Sequence, residues 1–243
     1  MTQHHGWNLR RFSRAIIAGL HMILISAAPW SSPAPSEQES NVTRTPANIS
    51  EQARNAGLVS VEDLVPDLAL DIRYAGDDNF TGEALYPASR CWLMESVALR
   101  LARVQQDLAR DGLGIKVFDC YRPFHVQEKM WRLIRDERYV SKPVRDSEGR
   151  MVEGSRHSRG AAVDVSLVAL ETGLELPMPT AYDDFSETAH RDHHAGLNTA
   201  QIDNRERLAD AMARHGFVGL ATEWWHFDAE GWHRYPLLDI PIE

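Results

Sequence analysis

Residues 115–134 read IKVFDCYRPFHVQEKMWRLI, and they combine a strand pattern with the start of a helix. The first seven residues are rich in β-branched and aromatic side chains, which favour a strand. Pro123 then stands where a helix can begin, because its fixed φ suits the first helical position. The stretch therefore predicts a strand that leads directly into a helix, with Arg122 at the junction.

The segments before this stretch continue the same mixture. Residues 64–74 alternate apolar and polar side chains towards their end, which predicts a half-buried strand. A helix is predicted from apolar residues that share one helical face, with Gly112 as its stop signal. Those residues are Leu93, Val97, Leu101, Val104 and Leu108.

The segments after it add one helix and two strands. Asn198 and Thr199 are suited to cap a helix that ends at Gly216. Strand-forming residues follow at 217–220 and 224–227. Because most strands and helices are not arranged as βαβ units, the sequence predicts an α+β fold with a mostly antiparallel central sheet flanked by helices.

The composition restricts the class of protein. The chain has 243 residues, of which 43% are hydrophobic, and its formal net charge is −9. This apolar content is typical of a globular chain and excludes a disordered protein. Proteins that bind phosphate backbones usually carry a basic face, so the acidic balance argues against a nucleic-acid partner.

The N-terminal segment has the pattern of an export signal. Three arginines precede the apolar run AIIAGLHMILISAA at residues 15–28, which is too short for a membrane span of about 20 residues. We expect a signal peptide over 1–28, a flexible Pro- and Ser-rich linker over 29–55 and one folded domain over 56–243. Cleavage after Ala27 or Ala28, or an uncleaved anchor, stays open. The expected location is the periplasm or another exported compartment, with no membrane span after cleavage.

Two cysteines, Cys91 and Cys120, are present in the chain. In an oxidising compartment they can form a single disulfide, which the export signal favours. Two buried free thiols are the alternative, because sequence spacing alone does not bring the residues together.

The segment SRHSRGAAVD, residues 155–164, is the first candidate functional segment. His157 and Asp164 lie seven positions apart around a glycine turn, and zinc accepts both imidazole nitrogen and carboxylate oxygen. The alternative is that both are ordinary surface residues. Taken alone, the segment indicates a metal site only weakly.

The segment EWWH, residues 223–226, adds a second histidine and a glutamate. Glu223 and His226 point the same way only if Glu223 lies on a bend or at the start of the strand, because a regular strand places them on opposite faces. The alternative is a buried aromatic strand with a glutamate at its rim. His226 is thus a candidate ligand, and Glu223 a candidate proton acceptor.

The segment DCYRP, residues 119–123, is the third. An arginine at the end of a strand and before a rigid proline can present a fixed guanidinium to a carboxylate or a developing oxyanion. A surface arginine is the alternative for Arg122. The histidines of HRDHH, residues 190–194, are not expected to bind the catalytic metal, because they lie in a polar loop.

Together these segments resemble the zinc D-alanyl-D-alanine dipeptidases of the vancomycin-resistance type, from about residue 58 to the C-terminus. The order Tyr-Arg-Pro, Ser-x-His-x-x-Gly-x-Ala-x-Asp and Glu-x-Trp-His carries the resemblance, with further matches at Tyr74-Ala75, at NFTG of residues 79–82 and at Pro177-Met178. The resemblance implies the α+β architecture that zinc D,D-peptidases share with hedgehog-like signalling domains.

The resemblance also implies the roles of the candidate residues. His157, Asp164 and His226 correspond to the ligands of one zinc ion per chain. Glu223 corresponds to the acid/base that activates the zinc-bound water, and Arg122 to the group that stabilises the tetrahedral oxyanion. The implied reaction is hydrolysis of the D-Ala-D-Ala dipeptide to two D-alanines.

Three residues are expected to bind the substrate. The segments around Tyr74 and Asp184 correspond to segments that hold the amino end of the dipeptide, and Ser155 is assigned to the same substrate-binding group. Burial of an ammonium is costly without a nearby anion, so a carboxylate is expected there.

Two other functions stay open on the sequence. A D,D-carboxypeptidase or endopeptidase acting on peptidoglycan stem peptides would share the metal site but need an open groove. A non-catalytic zinc-containing module that binds the cell wall would need neither Glu223 nor Arg122. The sequence gives no expectation for the oligomeric state.

Overall fold

The structure is a computed structural model, and it describes residues 46–65 and 68–242. The α-helices of this part are α1 (Pro46–Asn55), α2 (Glu95–Ala109), α3 (Phe124–Ile134) and α4 (Thr199–Arg214). The strands are β1 (Leu58–Ser60), β2 (Ala69–Leu70), β3 (Trp92–Met94), β4 (Leu113–Asp119), β5 (Val144–Arg145), β6 (Met151–Glu153), β7 (Ala162–Ala169), β8 (Phe217–Gly219) and β9 (His226–Ala229). Short 3₁₀ helices cover Arg73–Ala75, His157–Arg159, Glu187–Ala189 and Trp232–Arg234.

Five strands form the central sheet, in the order β2-β4-β7-β9-β8. β2 is parallel to β4, and all other neighbours in this sheet are antiparallel. Two small antiparallel sheets, β1-β3 and β5-β6, accompany it. The predicted α+β class with a mostly antiparallel sheet is therefore confirmed.

The register of the sheet aligns three polar residues. Asp119 on β4 is opposite Asp164 on β7, and Asp164 is opposite His226 on β9. Residues directly opposite each other on antiparallel strands share a face and have Cβ atoms about 4.5–5.5 Å apart. The register also shifts between Val117 and Asp119, an irregularity that is common next to active sites. The sheet thus brings residues that are distant in sequence into one polar row.

Helix α2 covers the sheet through the face predicted from its sequence, except that Leu93 precedes the helix and lies in β3. Val97, Leu101, Val104 and Leu108 are at most 2% exposed, and α2 packs against β4. Burial of each such side chain contributes roughly 1.5–3 kcal/mol. The apolar face of α2 therefore holds β4, and with it Asp119, in place.

Helix α4 begins and ends as its sequence predicts. The Asn198 side chain accepts a hydrogen bond from the Gln201 backbone N–H at 3.0 Å, and the Gln201 side chain accepts one from the Asn198 N–H at 3.0 Å. This reciprocal pair is a capping box, which satisfies two N–H groups at the helix start. Gly216 follows the helix with φ of +76°, a conformation that favours glycine.

The segment predicted as a linker differs from the structure over its last ten residues. Residues 46–55 form α1, and Ala53 is 2% exposed and packs in the core. The folded part of the chain therefore begins earlier than residue 56, because Ala53 of α1 is buried in the core. The predicted leader, 1–28, and the rest of the linker, 29–45, lie outside the described residues.

Two predicted strands are shorter in the structure. Of the described residues within 64–74, only Ala69–Leu70 form a strand, because the chain then turns into the 3₁₀ helix Arg73–Ala75. Of residues 224–227, only the last two are in a strand, because β9 begins at His226 after a turn. Both turns place functional side chains, as described below.

Cys91 and Cys120 form a disulfide, with their Cα atoms 5.3 Å apart. Of the two alternatives left open by the sequence, the disulfide is the one present. It joins the residue before β3 to the residue after β4, next to Arg122.

The described residues include no helix that is both long and apolar enough to cross a membrane.

Candidate metal centre and active site

Three buried side chains converge at one end of the central sheet. Nε2 of His157 lies 3.2 Å from Nδ1 of His226 and 3.4 Å from Oδ1 of Asp164. Nδ1 of His226 lies 2.9 Å from the same Asp164 oxygen. The sheet register explains the contact between Asp164 and His226, because these residues are direct neighbours across β7 and β9.

The outer nitrogen of each imidazole has a hydrogen-bond acceptor. Nδ1 of His157 donates to the Cys120 carbonyl oxygen at 2.7 Å, and Nε2 of His226 donates to Oδ1 of Asp228 at 3.0 Å. Such partners fix the tautomer of a metal-binding histidine and orient its ring. The inner nitrogens are thereby left to present lone pairs towards the Asp164 carboxylate.

This arrangement fits a tetrahedral metal ion. Ligand atoms at about 2.0–2.2 Å from zinc are separated from one another by about 3.3–3.6 Å in a tetrahedron. The three separations of 2.9, 3.2 and 3.4 Å are near this range. Three inward-facing acceptors need a cation among them, so His157, Asp164 and His226 form a possible metal site.

The electrostatics of the cluster agree with a need for positive charge. Burial lowers the pKa of His226, but hydrogen bonds to Asp164 and Asp228 outweigh it and raise this pKa to about 10. Burial raises the pKa of the Asp164 carboxyl, whereas the charges and hydrogen bonds of the two histidines hold it below its usual value. A proton on His226 and a metal ion therefore compete for the same site.

A glycine turn places His157. Gly160 has φ of +59°, and a Cβ atom there would lie 2.7 Å from Cδ2 of Leu58 and 3.1 Å from the Met94 backbone nitrogen. Only glycine satisfies both the left-handed backbone and this close approach. The turn packs against β1 and β3 and presents His157 to the sheet end.

Glu223 lies in the turn before β9. A regular strand would place Glu223 and His226 on opposite faces, and the turn lets the two side chains point the same way. Its Oε2 is 4.0 Å from Nδ1 of His226, farther than the three cluster atoms are from one another. Its side chain is 16% exposed, and burial raises the pKa of this carboxyl. Glu223 is therefore beside the possible metal site, at a distance that suits a proton acceptor better than a ligand.

Arg191 holds the turn that carries Glu223. Its Nε donates to the Leu220 carbonyl oxygen at 2.9 Å, and its Nη2 donates to the His226 carbonyl oxygen at 2.8 Å. The guanidinium stacks 4.1 Å from the Phe227 ring centroid. Arg191 belongs to the HRDHH segment, so this segment contributes an arginine to the architecture of the site.

The histidines of HRDHH lie elsewhere. The carbonyl oxygens of His190 and His193 accept hydrogen bonds from Arg205, and Nε2 of His193 lies 2.8 Å from the Ala195 carbonyl oxygen. His194 is exposed. These contacts make the three histidines part of a loop that packs on α4.

Arg122 is buried and rigidly held. Its Nη2 lies 2.5 Å from Oδ2 of Asp119, and its Nη1 donates to Oε1 of Gln127 at 2.8 Å. The guanidinium also lies 5.1 Å from the Tyr74 ring centroid. Burial lowers the pKa of Arg122, but Asp119 outweighs it and keeps the group charged. Arg122 and the three residues of the possible metal site, His157, Asp164 and His226, line the same pocket.

Tyr182 holds the Asp164 carboxylate. Its hydroxyl donates to Oδ2 of Asp164 at 2.9 Å, and its ring stacks on Phe118 at 4.5 Å between centroids. Burial and the Asp164 charge raise the pKa of Tyr182, so it stays a donor. The role of Tyr182 was not apparent from the sequence, because no local pattern connects Tyr182 with Asp164.

Asp183, and not Asp184, faces the pocket, which corrects the prediction. The Tyr74 hydroxyl donates to the Asp183 carboxylate at 3.1 Å, and both residues line the pocket. Asp184 is exposed, and its carboxylate accepts a hydrogen bond from the Ser186 N–H at 2.9 Å. The reason is the backbone of Asp183, whose φ of +60° turns neighbouring side chains in different directions.

The structure places the other two predicted substrate-binding residues at the pocket. Tyr74 is 2% exposed, and burial raises the pKa of its hydroxyl. Ser155 is 7% exposed, and its Oγ accepts a hydrogen bond from the His157 N–H at 3.2 Å.

The pocket has an empty volume of about 530 Å³. It is lined by the three residues of the possible metal site, by Glu223, Arg122 and Asp183, and by the apolar residues Phe80, Met130, Phe185, Leu220 and Trp225.

Asp228 was not identified from the sequence. It stands two positions after His226, and residues two apart on a strand lie on the same face.

Comparison with known proteins agrees with this geometry. Residues 54–237 match the Peptidase M15 family, described as D-Ala-D-Ala dipeptidase. The chain is 35% identical over 181 residues to D-alanyl-D-alanine dipeptidase of Escherichia coli (strain K12), a match that covers 74% of this chain and 89% of that protein. It is 31% identical to the protein of the same name from Enterococcus faecium, over 70% of this chain and 90% of that one. A third similar protein, D-alanyl-D-alanine dipeptidase of Streptomyces coelicolor, is 31% identical over 75% of this chain and 96% of its own length.

These matches confirm the resemblance drawn from the sequence motifs. The chain therefore belongs to the Peptidase M15 family of D-Ala-D-Ala dipeptidases.

Proposed function

We propose that this protein hydrolyses the dipeptide D-Ala-D-Ala to two D-alanines, with one zinc ion held by His157, Asp164 and His226. The observation that carries the proposal is a partly buried carboxylate, Glu223, beside three potential ligand atoms that face one another at the wall of a small pocket. The names of the similar proteins support the choice of substrate.

Glu223 is the group that moves protons. When bound, zinc supplies a Lewis acid that polarises the scissile carbonyl and lowers the pKa of a water. Glu223 takes a proton from the attacking water and gives it to the leaving amine. Burial raises the pKa of Glu223, which brings it towards the range where a carboxyl both accepts and donates near neutral pH.

Arg122 is proposed to stabilise the oxyanion that develops on the scissile carbonyl. Its bonds to Asp119 and Gln127 hold the guanidinium before the reaction begins. A donor that is already oriented lowers the barrier without a reorganisation cost. The buried position strengthens its interaction with developing negative charge.

The amino end of the dipeptide is proposed to lie at Asp183 and Tyr74. Burial and the negative charge of Asp164 raise the pKa of the Asp183 carboxyl. A substrate ammonium supplies the positive charge that this carboxyl needs in order to ionise. The Tyr74 hydroxyl holds the carboxylate in place through its hydrogen bond of 3.1 Å.

Acetylation of the substrate tests the proposal. We expect the zinc-loaded protein to prefer D-Ala-D-Ala over N-acetyl-D-Ala-D-Ala by about 10²-fold in kcat/KM, because the acetyl group removes the ammonium that Asp183 binds. Fully buried polar sites discriminate by about 10⁴-fold, and Asp183 is only partly buried. Measured release of D-alanine from both substrates gives the ratio.

Two variants make this test specific. Asp183→Asn is expected to reduce the ratio, whereas the adjacent Asp184→Asn is expected to leave it unchanged. Equal turnover of the two substrates by the wild type would identify a D,D-carboxypeptidase instead. Binding of zinc without any hydrolysis would identify a non-catalytic wall-binding module.

We also propose that the protein is exported, with a leader over residues 1–28 followed by a linker. The disulfide between Cys91 and Cys120 supports this, because such bonds persist in oxidising compartments. N-terminal sequencing of protein from its native host is expected to find a chain that begins near residue 28, in the periplasmic fraction. An intact Met1 on a cytosolic protein would contradict export.

A further inference from the structure

The dipeptide of the proposed function is a zwitterion, so its carboxylate also needs a partner. Two arginines, Arg122 and Arg156, line the pocket. An arginine recognises a carboxylate best through two parallel N–H groups. The hydrogen bonds of the two arginines decide which of them has such groups to offer.

Arg122 has little capacity left for a second anion. A guanidinium has five N–H groups. Its Nε lies 3.4 Å from the Tyr86 hydroxyl, and its Nη2 contacts Asp119. Its Nη1 contacts both Gln127 and Sδ of Met130. Four of the five N–H groups thus have partners, and the one that remains is enough for an oxyanion but not for a two-pronged carboxylate contact.

Arg156 is held in place but keeps its terminal amino groups available. Its Nε lies 3.4 Å from Oδ2 of Asp228, which is its one ion pair within the described residues. Its guanidinium carbon lies 4.9 Å from the Trp232 ring centroid. Its side chain is 38% exposed. The aromatic ring limits the orientation of the guanidinium, and the ion pair occupies only the Nε side.

Asp183 and Arg156 line the same pocket, and a series of contacts through the His157–Asp164–His226 site connects them. His226 contacts Asp164 through one ring nitrogen and Asp228 through the other. The contacts run in the order Asp183, Tyr74, Tyr182, Asp164, His226, Asp228 and Arg156. A carboxylate therefore stands at one end of this series and an arginine at the other, with the metal cluster between them.

We propose that Arg156 and the hydroxyl of Ser155 form the subsite for the C-terminal carboxylate of the dipeptide. This inference rests on the proposed function and deepens it, because it assigns the second charged end of the substrate. Ser155 Oγ accepts from the His157 N–H, so its own proton is available to donate. The dipeptide then spans the cluster with its ammonium at Asp183 and its carboxylate at Arg156.

A purely supporting role for Arg156 makes a different prediction. If Arg156 acted only by orienting Asp228, and through it His226, its loss would weaken zinc binding and reduce turnover of every substrate equally. A carboxylate subsite instead affects only substrates that carry a carboxylate.

The test compares D-Ala-D-Ala with its C-terminal amide in the wild type and in Arg156→Met. We expect kcat/KM for the acid to fall by about 10- to 30-fold in the variant, mainly through a higher KM, because the lost contact is charged but partly exposed to solvent. We expect kcat/KM for the amide to stay nearly unchanged. Arg159→Met is the matched control, since Arg159 also stacks on Trp232, at 5.6 Å, but is not part of the pocket lining.

The outcomes separate this inference from the proposed function. An equal fall for acid and amide, with weaker zinc binding in a chelator competition, would overturn the subsite, as would no change for the acid. If the wild type hydrolyses neither compound, the proposed function fails. Calorimetric titration of zinc-loaded Glu223→Gln with acid and amide then decides the subsite, because a preference for the acid that disappears with Arg156→Met supports it and its absence refutes it.

Discussion

Glu223→Gln is expected to lower kcat for D-Ala-D-Ala by about 10³-fold while the protein still binds about one zinc ion per chain. Glutamine keeps the shape of the side chain but neither accepts nor donates the proton that the reaction needs. The distance of 4.0 Å between Glu223 Oε2 and His226 Nδ1 places the carboxylate outside the three mutually close ligand atoms. The loss of one side chain thus separates chemistry from metal binding.

Steady-state kinetics together with metal analysis of the purified variant check this expectation. Glu171→Gln is a matched control, because Glu171 is exposed and follows the end of β7 that is remote from Asp164. A metal-free Glu223→Gln protein would instead place Glu223 among the ligands.

His226→Ala is expected to reduce the zinc content from about one ion per chain to nearly none, and to abolish metal-dependent hydrolysis. The substitution removes one of the three proposed protein ligands and the hydrogen-bond partner of Asp228 Oδ1. His194→Ala in the exposed loop is the control, and it is expected to keep both metal and activity. Retention of zinc by His226→Ala would show that the cluster is not the metal site.

Because His226 is buried, a milder variant accompanies this test. Asp228→Asn keeps the size of the side chain but weakens the hydrogen bond to Nε2 of His226. Loss of such an outer partner typically lowers metal affinity by about 10- to 100-fold. Competition with a chelator measures this change in a protein whose fold is checked by circular dichroism.

Metal loading is also expected to release a proton. Hydrogen bonds to Asp164 and Asp228 outweigh burial and raise the pKa of His226 to about 10, so the metal-free imidazole is protonated at neutral pH. A metal ion needs the neutral imidazole, and zinc affinity therefore rises with pH up to that value. Calorimetry in buffers of different ionisation enthalpy counts the protons released.

Helices α2 and α4 followed closely from short-range sequence patterns, whereas α1 lies in the segment predicted as a linker. The face of α2 and the cap of α4 depend on residues within a few positions of one another, such as Leu101 with Leu108 or Asn198 with Gln201. The interactions that form a helix join residues three or four positions apart, so the spacing of residues in the sequence is enough to indicate them. The strands were less well bounded, because β2 and β9 extend only over the residues that pair with neighbouring strands, and this pairing is long-range.

The residues of the candidate site also fall into those that the sequence indicated and those that only the structure revealed. Motif order pointed to His157, Asp164, His226, Glu223 and Arg122, and the structure brings all five to one pocket. Arg191 and Tyr182, which orient two of these segments, were not apparent because they reach their partners across long sequence separations. Asp119 and Asp228 are different, since Asp119 lies three positions before Arg122 and Asp228 lies two positions after His226 on the same strand.

The sequence by itself determined the α+β class, the buried face of α2, the ends of α4 and the chemical types assembled at the site, because these depend on composition, periodicity and motif order. Tertiary structure alone decided that Cys91 and Cys120 are joined, that Asp183 rather than Asp184 faces the pocket, and that Arg156 lines the same pocket. A shift of one residue changes the direction of a side chain, and only the packing of the loop on the sheet selects between the two aspartates.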